Sequence, residues 1–203
     1  MKQILILSAI AVSLSIASAC LSSPETATTN RTANTTTANT ATTNAANTTK
    51  ADDTPAAVKA VFPDAQSFTT QHKDVPADKI ASIEKDTSSK VPDKDHHSYL
   101  AFSTAGGARK QIGAATVVKA DGKDVIIVYD NKDGSPVIKE VRADGVPAPF
   151  LAQFAGKGHD DDLLLGADIK ASGANEAQAK AITEAVRVDV LTMQALYGAA
   201  HKH

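Results

Sequence analysis

Cysteine is nearly absent from this chain. Of 203 residues only Cys20 is one, and it lies close to the N-terminus. Nothing after it can form an internal disulfide or a thiolate metal site. Tryptophan is missing, and five Phe and three Tyr are the only large aromatic residues. Lysine and arginine number 21 against 23 acidic residues. No basic patch interleaves with aromatics, so nucleic acid is excluded as a partner. Long apolar runs are also scarce: the first ends at Ile16, and no later one is long enough to cross a membrane. No Ser-His-Asp set or paired carboxylates stand out, so no catalytic residue is assigned. The chain reads as a carrier or binding protein rather than a self-sufficient enzyme.

The N-terminus has a different character. Lys2 supplies a positive start, and Ile4 to Ile16 is apolar apart from Ser8, Ser13 and Ser15. Ala17-Ser18-Ala19 then offers small residues for cleavage. Charge, apolar run and small residues in that order make residues 1–19 a secretory signal rather than a structural helix. The segment resembles a bacterial lipoprotein signal, with Cys20 as the acylated first residue of the mature chain. Ala17-Ser18-Ala19 also suits ordinary signal peptidase, which would cut at the same bond. Leu21 after the cysteine resembles the outer-membrane sorting pattern. The expected location is therefore outside the cytoplasm, lipid-anchored, on the periplasmic face of the outer membrane in a cell with two membranes.

Residues 20–53 carry the anchor and then a run of Thr, Asn and Ala without aromatic residues or large aliphatics beyond Leu21. Such a run has little to bury against the entropy of ordering its backbone. It is expected to be a disordered tether, spanning roughly 30 Å root-mean-square if flexible. Asn-x-Thr triplets such as Asn30-Arg31-Thr32 are read as part of this spacer.

Residues 54–198 have the length of one domain. A short helix is expected over Pro55 to Val61 with Thr54 as its cap, and another over Pro76 to Lys85. Between them, Ala65 to Gln71 suits a strand. His97 to Thr104, Gln111 to Lys119, Lys123 to Asp130 and Pro136 to Arg142 read as further strands. Turns are expected at Gly106-Gly107, Ala120-Asp121-Gly122 and Asn131 to Ser135. Pro147 to Phe154 suits a short helix or turn. From Glu176 to Tyr197 an apolar stripe predicts a long helix lying on a sheet, with Gly198 as its stop. Residues 199–203 are expected to be a frayed tail. The class is α+β: an antiparallel meander with N-terminal helices and a long C-terminal helix packed on the sheet.

Within the domain, Phe150-Leu151-Ala152-Gln153-Phe154-Ala155-Gly156-Lys157 is followed by Gly166-Ala167-Asp168-Ile169 and by Ser172-Gly173-Ala174. This order resembles the FMN-binding domain family, which includes the flavin-carrying subunits of the Na⁺-pumping quinone reductase and Rnf complexes. The resemblance runs over roughly residues 60 to 197 and includes Ile112-Gly113. It implies FMN as cofactor, electron transfer outside the cytoplasm, and a redox protein or membrane complex as partner. By the same resemblance the flavin-binding residues are Gln153, Phe154, Gly156, Lys157, Asp168, Ser172, Gly173, Ala174 and Asn175.

The chain departs from the pattern where the family esterifies a Ser or Thr to the flavin phosphate. That position is Ala177, which has no oxygen to esterify, and Glu176 places a negative charge beside it. The flavin is therefore expected to bind without a covalent link. The alternative is a flavin-free, lipid-tethered binding or assembly module built on the same fold.

Asp95-His96-His97 and His159-Asp160-Asp161-Asp162 contain metal-ligand residue types. Both are read as polar surface loops, and no metal is assigned. His96 and His97, adjacent at the start of a strand, point to opposite faces and do not easily share one ion. Asp133-Gly134 is read as a turn, because the glutamate spacing of a calcium loop is missing.

Overall fold

The computed structural model describes residues 53–199. The expected signal segment, Cys20, almost all of the expected tether and the histidines of the expected tail lie outside the described residues. Five strands run in the order β1 (Ser67–Asp74), β2 (Asp95–Ser103), β3 (Lys110–Ala120), β4 (Lys123–Lys132) and β5 (Ser135–Ala143). They form one sheet in sequence order, every neighbouring pair antiparallel. Four α-helices complete the domain: α1 (Ala56–Val61), α2 (Ala77–Thr87), α3 (Ala148–Leu151) and α4 (Glu176–Tyr197). A 3₁₀ turn, Ala152–Phe154, continues α3. The α+β expectation holds, including the long C-terminal helix on the sheet.

Two hairpins follow from turn chemistry. Lys123 pairs with Ala120 across Asp121 and Gly122, whose φ values are 51° and 70°. Ser135 pairs with Lys132 across Asp133 and Gly134, at 54° and 85°. Two consecutive positive φ values turn the chain with the twist of the strands, and Asp-Gly tolerates them. Asn131 supports the second turn by accepting the Gly134 amide at 3.0 Å.

Alternation along the strands gives the sheet two apolar faces. One carries Leu100, Ala114, Val125, Ile127, Tyr129 and Ile138, and α4 covers it with Ile182, Val186, Val190 and Met193. The other carries Tyr99, Ala101, Ala115, Ile126 and Val128, and α1 covers it with Val58, together with Phe62 just beyond the helix. Each fully buried aliphatic side chain contributes about 1.5–3 kcal/mol. At Gly113 a Cβ would lie 2.6 Å from Cε1 of Phe62, so only glycine lets the ring approach the strand this closely.

One boundary expectation is corrected and another holds. Thr54 does not cap α1: it is buried, Pro55 occupies the cap position, and no side chain caps the helix. Gly198 stops α4 as expected; its φ is −70°, and its amide donates to the Gln194 carbonyl. Among the described residues no helix is long and apolar enough to cross a membrane.

Candidate functional site

The predicted flavin residues lie in the segment after β5, where Gln153 meets Ser172. Phe150 and Phe154 are both fully buried and meet edge to face at 5.5 Å. Phe154 is therefore a core residue with no surface to offer a ring from outside. Its burial anchors the chain that follows. Gly156, at φ 80°, donates its amide to the Ile138 carbonyl at 2.7 Å, and the Lys157 carbonyl accepts from the Ile138 amide at 2.8 Å. These bonds cover part of the outer edge of β5, whose backbone groups would otherwise lack partners. The Lys157 ammonium lies 3.4 Å from Asp161, and Asp161 also accepts the Gly158 amide.

Gln153 joins two parts of the predicted motif. Its carbonyl oxygen accepts the Lys170 amide at 2.9 Å, and its amide nitrogen donates to the Lys170 carbonyl at 2.8 Å. The same nitrogen donates to Ser172 Oγ at 3.0 Å. One side chain thus supplies the backbone pairing that a strand neighbour would supply. Asp168 holds the preceding turn by accepting the Leu164 amide at 3.2 Å. Ser172 and Gly173 then take φ values of 45° and 90°, reversing the chain into α4. Ser172 accepts the left-handed region with a side chain, which is uncommon.

Asn175 is the N-cap of α4, and its side-chain oxygen accepts the Gln178 amide at 2.8 Å. One of the amides that a helix start leaves open is thereby closed from within the chain. Glu176 lies exposed in the first turn, and Ala177 is exposed beside it. Thr183 is buried and donates to the Ala179 carbonyl at 2.7 Å. Ala177 has no oxygen to esterify and the hydroxyl of Thr183 faces inward, while Ser172, also bearing a hydroxyl, is exposed at the turn and accepts from Gln153.

A second polar centre lies under α4. Asp189 is 4% exposed in the middle of the apolar stripe. Its Oδ2 accepts from Thr116 at 2.6 Å and from Tyr129 at 2.7 Å, and its Oδ1 meets His96 Nε2 at 3.0 Å. Burial first, and the Asp189 carboxyl second, push the Tyr129 hydroxyl well above its ordinary pKa. The other ring nitrogen of His96, Nδ1, is buried without a hydrogen-bond partner. A cleft of about 550 Å³ opens between the β2–β3 side of the sheet, α4 and the chain leading into β2, lined by His96, Thr116, Val118, Ala185 and Val188 among others. A charged residue inside an otherwise apolar helical stripe was the only sequence signal for this centre.

Asp95, His96 and His97 are not in a loop, as expected, but begin β2. His96 and His97 do face opposite sides: His96 reaches Asp189, while His97 Nε2 lies 2.9 Å from Asp95 Oδ2. In the His159 segment, His159 Nε2 lies 3.2 Å from Asp160, and the preceding Gly158 bridges to Val137 of β5. Comparison of the chain with family models, curated proteins and solved structures finds no match.

Proposed function

We propose that this chain is an exported, lipid-anchored protein whose domain takes FMN non-covalently at the turn entering α4 and passes electrons to a redox partner outside the cytoplasm. The observation that carries the reading is Gln153, which ties the Phe-Ala-Gly-Lys segment to Lys170 and Ser172. Gln153 and Ser172 of the resemblance thus lie in hydrogen-bond contact although they are 19 residues apart. The Ser172-Gly173 reversal leads directly into a 22-residue helix. Its positive dipole end favours a phosphate.

The flavin-free module is the second reading, and Asn175 and Glu176 favour it. Asn175 already satisfies the Gln178 amide, and Glu176 repels a phosphate from the same turn. The visible spectrum of protein purified from its native membrane separates the two. Flavin bands released by denaturation support the first reading, and a colourless protein that takes up no added FMN overturns it. Ala177→Thr with Asn175→Thr restores the family's acceptor pattern. Co-expressed with a flavin transferase, that variant is expected to give a flavin-fluorescent band on a denaturing gel, and the unaltered chain none.

A further inference from the structure

We propose that His72, Asp95 and His97 form a binding site for a borderline divalent ion of the Zn²⁺ class, independent of the flavin reading. His72 on β1 stands directly opposite His97 on β2 in the antiparallel register. Asp95 is two residues before His97 and so shares its face of the sheet. The geometry follows from this placement. His72 Nδ1 is 3.1 Å and His97 Nε2 is 2.9 Å from the same Asp95 oxygen. One donor atom from each of the three residues lies within 4.8 Å of the others.

A tetrahedral zinc ion with bonds of roughly 2.0–2.1 Å holds its ligand atoms about 3.3 Å apart. Small rotations of the two imidazoles, whose ring centroids are 4.1 Å apart, bring the donors to that spacing. Two imidazole nitrogens and one carboxylate oxygen suit a borderline metal better than a hard cation. The ladder fixes the spacing of all three Cα atoms, so little backbone ordering is required. The side chains are about half exposed, which leaves an entry path and room for water as a fourth ligand. Lys94, adjacent to Asp95, is held by Asp74 at 3.0 Å, so its charge is already paired.

The test is calorimetric titration of the full mature chain with ZnCl₂ at neutral pH. One saturable equivalent is expected, weakened about tenfold or more by either His72→Ala or His97→Ala. It is expected to be unchanged by His201→Ala with His203→Ala, which removes the histidines of the tail. Absence of saturable binding, binding indifferent to His72→Ala and His97→Ala, or binding lost with the tail histidines overturns the proposal. Far-UV circular dichroism of the metal-free variants checks their folding. If either is unfolded, imidazole NMR signals of the unaltered chain decide. Zinc must shift the His72 and His97 rings, and shifts confined to other histidines reject the site.

Discussion

Tyr129 on β4 and Asp189 on α4 are joined by a 2.7 Å hydrogen bond across 60 residues of sequence. Both side chains are nearly inaccessible to water. The bond fixes the helix on the sheet in a way that apolar packing alone does not, because sliding α4 along its axis would strand a buried carboxyl. Thr116 and His96 complete the same acceptor set.

Asp189→Ala is therefore expected to cost about 3 kcal/mol, since it leaves the buried Thr116 and Tyr129 and the partly buried His96 without their partner. Urea denaturation followed by circular dichroism measures this. A loss below roughly 1 kcal/mol would mean that water replaces the carboxyl.

The alkaline titration of the three tyrosines should be abnormal. Burial raises the pKa of Tyr99, Tyr129 and Tyr197 above 10.0, most strongly for Tyr129. A folded pKa above the unfolded one gives stability that is full below about pH 10 and is lost as pH rises toward the folded value. Absorbance near 295 nm should thus stay low past pH 10 and complete its rise only with alkaline unfolding. A full tyrosinate signal from protein that is still folded would contradict the buried Tyr129 hydroxyl.

Gly113→Ala should destabilise the domain by about 1–3 kcal/mol, because the added methyl meets the Phe62 ring. Phe62→Leu alone only loses packing, but it removes the ring edge that the added methyl would strike. The double variant should therefore be more stable than the sum of the two single losses predicts. Strict additivity in thermal unfolding would show that the ring moves aside freely.

Cys20→Ser should abolish incorporation of a fatty-acid probe and release the protein from the membrane fraction. Labelling and fractionation unaffected by the substitution would remove the lipid anchor from the proposed function.

Local chemistry made much of the fold legible. Asp121-Gly122 and Asp133-Gly134 mark their turns because few other residue pairs take two positive φ values cheaply. The limits of α4 follow from an apolar stripe that begins after Asn175 and ends before Gly198. Thr54 misled because a side chain suited to capping was instead drawn into the interior. The Asp189 centre and the His72–Asp95–His97 cluster were beyond reach for a different reason. His72 and Asp95 are 23 residues apart, and only the β1–β2 register decides which residue faces His72. A shift by one position would put His96 opposite it and carry His97 and Asp95 to the other side of the sheet. Gln153 was picked out by resemblance, but its bonds to Lys170 depend on how the intervening turn closes.

The order of the elements along the chain sets an order of events as the chain emerges. All sheet neighbours are consecutive, so the meander can assemble from short loops before the C-terminus appears. The carboxyl that satisfies Thr116 and Tyr129 is carried by the last helix to arrive. Until then the face of the sheet must keep those hydroxyls wet, and its apolar residues exposed to other chains. A chain halted before residue 189 would thus hold a sheet unable to dry its own interior.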